Sequence, residues 1–167
     1  MMELLLMIPF VFFMLMVMIE GWNLFRVSQD LSLMTREAAN RIYRDCRSLD
    51  GTQLQSCVNT AVSGAYQVAG VSLKDFSTHG TSIGSLYRYN TSFTTPSPAA
   101  VQLIAFQRLG LRNSRFSTVT VDPVTLQSQT DIAISEAYYE YQPVTPIIGI
   151  LNLFTSFPTV LYESTLF

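Results

Sequence analysis

Two cysteines are the residues in this sequence whose type and spacing best fit a defined chemistry. Cys46 and Cys57 can form a disulfide that closes a loop of about 12 residues, which would stabilise the folded chain by roughly 3 kcal/mol. Free thiols and zinc ligands are the alternatives. The chain has one histidine, His79, and two cysteines with one distant histidine fall short of the four ligands of a structural zinc site. We therefore favour the disulfide and expect no metal and no other cofactor.

The sequence gives little support for a catalytic site. The sequence has no phosphate-binding loop of the G-x-x-x-x-G-K-S type, and Lys74 is its single lysine. His79 lies in a Ser-Thr-His-Gly-Thr-Ser segment that is typical of an exposed turn. We therefore expect a protein that is not an enzyme. A membrane-anchored extracytoplasmic enzyme is the alternative from another functional class.

The charge balance excludes two further classes. Ten Lys or Arg residues face 12 Asp or Glu residues, and 13% of the 167 residues are charged, against about 25% in an ordinary soluble domain. A disordered chain would carry more charge and fewer apolar residues. A nucleic-acid binder would carry a basic surface. We expect neither, and the shortage of charge is concentrated at the N-terminus.

An uncharged apolar run of 16 residues lies between Glu3 and Glu20. The positions from Leu4 to Phe25 form a helix of roughly 33 Å, enough to cross a hydrocarbon core of about 30 Å. Trp22 then lies at interface depth, with Arg26 just beyond it. A signal peptide is one alternative, but it needs a basic start, a shorter apolar run and a cleavage site. A buried helix of a soluble protein is another, but such a helix normally has a polar face. The sequence therefore predicts a transmembrane part over 1–25.

The helical pattern continues beyond the membrane. Apolar residues recur every three or four positions, while charged residues occupy the other faces. This predicts one helix over 1–47, with Pro9 causing a kink or a loosened turn. The residues of the apolar stripe are Val27, Leu31, Met34, Ala38, Ile42 and Cys46.

The remaining part, 48–167, is predicted to be an extracytoplasmic head. A second helix over 53–69 is followed by short segments with β character. Ser97 is expected to cap a helix over 98–109 that Gly110 ends, and 122–126 is expected to be a turn between two strands. The predicted fold is α+β, a long N-terminal helix carrying a small head with a mostly antiparallel sheet. The predicted strands are 71–76, 85–90, 116–122, 132–142 and 159–167.

A second apolar stretch lies between Pro146 and Pro158. It is too short to span a bilayer. It is either a core-packing loop or short helix, or an exposed patch that docks on a membrane or a neighbouring subunit. The residues of the possible docking patch are Ile147, Ile148, Ile150, Leu151, Leu153 and Phe154.

Glu3 is the one carboxylate at the head of the apolar run. A charge in hydrocarbon is costly and usually has a partner. The nearest candidate is a free α-amino group, either its own or that of an adjacent copy. Placement at the level of the lipid headgroups is the alternative.

The N-terminal residues resemble a known family. The order Met2-Glu3-Leu4-Leu5-Leu6-Met7-Ile8-Pro9, an apolar run that ends at Ile19-Glu20, and Arg36-Glu37-Ala38-Ala39 further on are similar to TadE-like pilins of the tight-adherence (Tad/Flp, type IVc) pilus family. Near the C-terminus, Gln142-Pro143-Val144-Thr145-Pro146-Ile147-Ile148-Gly149 resembles a Pro-Leu-Thr-Pro-Leu-Leu-Gly segment of that family. The match covers about the first 45 and the last 40 residues.

The resemblance implies a structural subunit that a prepilin peptidase processes and a pilus assembly platform extracts from the membrane. The subunit would reside in the bacterial inner membrane and then in an extracellular adhesive filament, as a homo-oligomer or with other pilins. An anchored accessory protein of a secretion or pilus machine that does not polymerise is the alternative. The resemblance assigns assembly roles to Glu3, Pro9 and Glu20, and places Leu5, Phe10, Phe12, Phe13 and Leu15 in the filament core.

Overall fold

A computed structural model of the chain describes residues 2–89, 100–118, 120–129, 131–146 and 160–167. The predicted fold class is confirmed: a long N-terminal helix carries a small α+β head with an antiparallel sheet. In chain order the elements are helix α1 (Met2–Arg41), a π-helical turn (Ile42–Cys46), helices α2 (Gly51–Ser72) and α3 (Phe76–His79), strands β1 (Gly80–Tyr89) and β2 (Val101–Leu109), helix α4 (Pro123–Gln129), and strands β3 (Asp131–Glu140) and β4 (Val160–Leu166).

Helix α1 passes through Pro9 and continues directly into the π-helical turn. The long helix therefore ends one residue before the predicted boundary at 47. Its upper half packs on the head because apolar side chains recur every three or four positions, which places them on one face. Five residues of the predicted stripe are buried: Leu31, Met34, Ala38, Ile42 and Cys46.

The sheet has the strand order β2-β1-β3-β4, and all three pairings are antiparallel. On one face, α1 packs across β3 and β4 while α2 packs across β1 and β2. The other face is covered by α4 and by the chain before it, where Phe116, Val121 and Leu126 meet Tyr87 and Ile134. The two central strands are therefore buried on both faces along almost their whole length.

A glycine in the middle of β1 brings the helices close to the sheet. A Cβ atom at Gly84 would lie 2.4 Å from Val62 Cγ2 and 2.8 Å from Ile42 Cδ1. Real Cβ atoms do not approach carbon atoms this closely. The packing of α2 and the π-helical turn on the sheet therefore requires a residue without a side chain here.

Gly84→Ala is accordingly expected to destabilise the head by about 1–3 kcal/mol, because the helices must move away from the sheet. Gly64→Ala in α2 is the matched control, since its Cβ would lie 3.5 Å from the Arg41 guanidinium and alanine favours a helix by up to about 1 kcal/mol. Denaturant unfolding of the detergent-solubilised chain measures both. Equal stability of the two variants would contradict this account of the packing.

Four local predictions were wrong. The segment predicted as a helix over 98–109 is strand β2 from Val101 onward, paired with β1. The predicted strand 71–76 holds the end of α2 and the start of α3, and the described residues of 116–122 form turns and bends, not a strand. The predicted turn 122–126 lies largely in helix α4. The Asp122 carboxylate explains the last difference, because it accepts hydrogen bonds from the N–H groups of Val124 and Thr125 and so caps this helix.

A buried carboxylate holds the loop before α4 against the sheet. Glu136 on β3 is fully buried and accepts hydrogen bonds from the Arg115 backbone N–H at 2.9 Å and the Tyr162 hydroxyl at 3.0 Å. The Ser114 hydroxyl donates to its second oxygen. Burial and the neighbouring Glu136 carboxylate raise the pKa of Tyr162 to about 12. Both carboxylate oxygens of Glu136 thus accept hydrogen bonds within the head, which gives this residue a structural role.

Candidate functional site

Below the head, the described side chains of helix α1 are exposed. All thirteen side chains from Met7 to Ile19 are exposed, and the next residue, Glu20, is only 4% exposed. We call residues 7–19 the stem. By length and composition, the helix that contains the stem can cross a membrane, and it is the one such helix in the described ranges.

The change from bare to covered helix occurs at Glu20. One oxygen of its carboxylate, Oε1, accepts hydrogen bonds from the Tyr141 hydroxyl at 2.6 Å and the Val144 N–H at 3.2 Å. The other, Oε2, accepts from the Thr145 N–H at 2.9 Å and the Thr145 hydroxyl at 2.7 Å. Asn23, nearly one turn further along α1, donates to the Tyr141 hydroxyl at 2.9 Å. We call these five residues the Glu20 clamp.

The clamp holds a carboxylate at the end of the apolar run, and in the described part of the chain no cation lies within 4 Å of it. Four donors satisfy it, two of them backbone N–H groups, and hydrogen bonds to a charged acceptor are among the stronger ones in proteins. Burial, together with the hydrogen bond to Glu20, raises the pKa of Tyr141 to about 12. The tyrosine therefore remains a neutral donor over the physiological pH range.

The clamp also locates the lower edge of the head. Head residues pack against Glu20 and Asn23, so the described stretch of exposed side chains ends at Ile19. The apolar part predicted over 1–25 extends six residues beyond that point. Trp22 and Phe25 remain 71% and 56% exposed. At 100° per residue they lie on the face of α1 opposite Glu20.

The structure places the predicted site residues in three groups. In the stem, Pro9, Phe10, Phe12, Phe13 and Leu15 are all exposed. Glu20 is in the clamp. The side chains of Glu3 and Leu5 lie outside the described residues, as does the possible docking patch of Ile147, Ile148, Ile150, Leu151, Leu153 and Phe154.

Sequence reasoning found Glu20 but not its partners. Val144 and Thr145 belong to the C-terminal segment that supported the family resemblance, Tyr141 directly precedes that segment, and Glu20 belongs to the N-terminal one. The structure brings these two motifs together, although they are separated by 121 to 125 positions. The signal was therefore present in the sequence as two motifs, without any indication that they touch.

The structure contains the disulfide between Cys46 and Cys57, which joins the π-helical turn to α2. A second link lies at the same end of the head. The Arg88 guanidinium on β1 donates to both carboxylate oxygens of Asp131 on β3, at 2.9 and 3.4 Å, and to Asp50 before α2 at 3.0 Å. The disulfide and this ion network together hold the upper end of the helix pair against the sheet.

Removal of the disulfide, by reduction or in a Cys46→Ser, Cys57→Ser double variant, is expected to lower the free energy of unfolding by about 2–4 kcal/mol, because the unfolded chain gains freedom. Unfolding of the solubilised chain with and without reductant measures this difference. The double variant should not respond to reductant. Alkylation of both thiols in unreduced protein would refute the disulfide.

The sequence Gly80-Thr81-Ser82-Ile83-Gly84 matches the G-x-S-x-G pattern that is associated with serine hydrolases. The catalytic pattern requires an exposed serine at a sharp turn from strand to helix. Here Ser82 lies inside strand β1 and is fully buried, and its hydroxyl has no partner among the described residues. The geometry therefore does not present this serine to a substrate.

His79 ends α3, and its Nδ1 atom lies 3.3 Å from the Gln142 amide and 3.6 Å from the Glu140 carboxylate. It is thus partly packed against the segment after β3, not free in a turn as expected. Within the described ranges, the structure has no group of three or more His, Cys, Asp and Glu side chains that could hold a metal ion.

Comparisons with known proteins place the chain in no family: no family model, no curated protein and no solved structure matches it.

Proposed function

We propose that this chain is a pilin-like structural subunit, anchored in the membrane by α1 and then assembled through the same helix into an extracellular filament that serves adhesion. The observation that carries the proposal is the stem, thirteen consecutive exposed side chains directly below a folded head. The subunit has no catalytic activity of its own in this proposal.

The stem requires an apolar environment. Its larger side chains are between 36% and 69% exposed, as in Val17 and Met18, and full burial of one such side chain contributes about 1.5–3 kcal/mol. Lipid provides that environment, and so does a bundle of neighbouring stems. Exchange of one for the other keeps the apolar surface away from water at every stage. A membrane protein of this shape can therefore become the core of a filament.

The Glu20 clamp supports the same role. Transfer from a membrane to a filament pulls on the subunit through its helix. The clamp joins the helix to the segment after β3, at the point where the stem ends. The head would then move with its stem as one body and coat the outside of the filament.

The proposed partners and location are those that the resemblance implies. The partners are copies of this chain or other pilins, a prepilin peptidase and an assembly platform. The location before assembly is the bacterial inner membrane. An extracytoplasmic head is consistent with the Cys46–Cys57 disulfide, because disulfides persist in oxidising compartments.

Mass spectrometry of sheared, membrane-free filaments tests the proposal. Trypsin cuts after Lys74 and Arg88, so the peptide between them reports the head. We expect it in the filament fraction, abundant for a major subunit and scarce for a minor one. Its presence in membranes and absence from filaments would instead identify an anchored accessory protein that does not polymerise.

Glu3→Gln separates assembly from anchoring. If Glu3 compensates the N-terminal ammonium of an adjoining copy, its removal leaves that charge unpaired in an apolar core, at a cost of a few kcal/mol per subunit. Insertion should survive, since the helix loses a charge. We expect the variant to accumulate in membranes while its share in sheared filaments falls sharply. An unchanged partition would mean that Glu3 lies at the level of the headgroups.

A further inference from the structure

A basic cavity lies beside the clamp, where the head meets α1. Its volume is about 230 Å³, and it is formed between α1 and head residues from two separate segments. The cations in its wall are Arg26 and Lys74. The described residues that line it are Asn23, Arg26, Val27, Asp30, Lys74, Tyr139, Tyr141, Gln142 and Val144.

The two cations are available to a ligand. Both residues are exposed, and in the described part of the chain no carboxylate lies within 4 Å of either. Lys74 is the single lysine of the sequence, and its backbone is held in place because the Tyr139 hydroxyl donates to its carbonyl at 2.8 Å. Two unpaired cations in one concave site favour an anionic group.

The distance of the cavity from the stem indicates which molecule supplies the anionic group. Arg26 lies seven residues beyond Ile19, the last residue of the stem, which corresponds to about 10 Å along the helix. The headgroup layer extends about 5–8 Å beyond the hydrocarbon on each side, and a long basic side chain can reach back toward it. Trp22, exposed on the opposite face and about 4.5 Å beyond Ile19, lies in this layer, where aromatic residues are favoured.

We propose that this cavity binds the headgroup phosphate of one anionic phospholipid through Arg26 and Lys74 while the subunit is in the membrane. Asp30 lines the same cavity one turn above Arg26 on α1, so the phosphate takes the end at Arg26, with Lys74 as the second cation and Asp30 facing the hydroxyl groups of a headgroup such as phosphatidylglycerol. The inference rests on the membrane-anchored stage of the proposed function and not on polymerisation.

Native mass spectrometry of the full chain, in detergent with equal amounts of phosphatidylglycerol and phosphatidylcholine, tests the proposal. We expect one retained phosphatidylglycerol molecule. Arg26→Gln and Lys74→Gln should each reduce its preference over phosphatidylcholine by about five-fold, the effect of one basic residue near an anionic surface. Arg36→Gln is the matched control, because Arg36 is exposed on the same helix about 15 Å further from the stem.

Three results would overturn the proposal: no preference in the wild type, an equal loss in Arg36→Gln, which indicates diffuse attraction, or occupation by added inorganic phosphate in place of the lipid. Circular dichroism of each variant verifies that it is folded. Flotation with lipid vesicles is measured in parallel. A chain that floats without preferring phosphatidylglycerol refutes the lipid site alone, whereas a chain that does not float refutes the anchoring on which both proposals depend.

Discussion

Phe12→Asp is expected to abolish stable membrane insertion and, with it, filament formation. Phe12 is 59% exposed near the middle of the apolar part of α1, and a charged residue at the centre of a membrane helix costs about 2.5–3.5 kcal/mol even on the lenient insertion scale. In a bundle of stems the same carboxylate would be buried without a partner. Carbonate extraction of membranes and the yield of sheared filaments measure the two effects.

Leu111→Asp is the matched control for this substitution. Leu111 is 89% exposed in the segment after β2, so the same change of side chain places the new charge in water, and we expect normal insertion and yield. Leu5→Asp should behave as Phe12→Asp does. Filaments of Phe12→Asp at the wild-type level would mean that the stem is not in the core.

Glu20→Ala is expected to release the head from the stem. The substitution leaves four donors of Tyr141, Val144 and Thr145 without their acceptor. Each hydrogen bond to a charged group contributes about 1.5–3 kcal/mol, and water can reach part of this site, so we expect a net cost of about 2–4 kcal/mol. Hydrogen exchange of the solubilised chain measures this at the Val144 and Thr145 amides, which should exchange about 30-fold faster or more.

Two further variants serve as controls for the hydrogen exchange of Glu20→Ala. Glu37→Ala removes a carboxylate from the same helix, but its pair with Arg41 is exposed, so we expect a change below about 0.5 kcal/mol. Glu20→Gln retains one acceptor oxygen and should lie between the two. Equal exchange at 144 and 145 in Glu20→Ala and Glu37→Ala would show that the clamp does not hold the head.

Helices α1 and α2 could be predicted because their signals are local. The stripe from Leu31 to Cys46 and the apolar positions of α2, such as Leu54, Val58 and Val62, repeat with helical spacing and are buried as expected. Strands β3 and β4 were predicted to within about two residues. In each case the residues that determine the element are close in sequence to the element itself.

Strand β2 could not be predicted in this way. Val101, Ile104 and Ala105 have helical spacing, and Gly110 follows where a helix would end, but Gly110 has a φ of +114° and ends a strand instead. Pairing with β1 determines the conformation, with a shift in register between Leu86 and Tyr87. Such pairing depends on residues far away in sequence and overrides local preference.

The clamp escaped prediction for the same reason. A glutamate at the end of an apolar run indicates a boundary, but nothing near Glu20 reveals that its donors lie more than 120 positions later. The Arg26 and Lys74 cavity likewise combines residues from separate segments. The contacts and the cavity at the junction of stem and head could therefore be found only in the folded chain.

Protection of a single thiol in the stem tests the central claim most directly. Both native cysteines are in the disulfide, so Met14→Cys introduces the sole free thiol, at a position that is 43% exposed in the isolated subunit. In sheared, membrane-free filaments we predict that a hydrophilic maleimide labels this thiol at least ten-fold more slowly than the thiol of Leu111→Cys, and that unfolding of the filaments in denaturant restores labelling. Equal labelling of the two thiols in intact filaments, or the absence of the chain from filaments, would contradict the account.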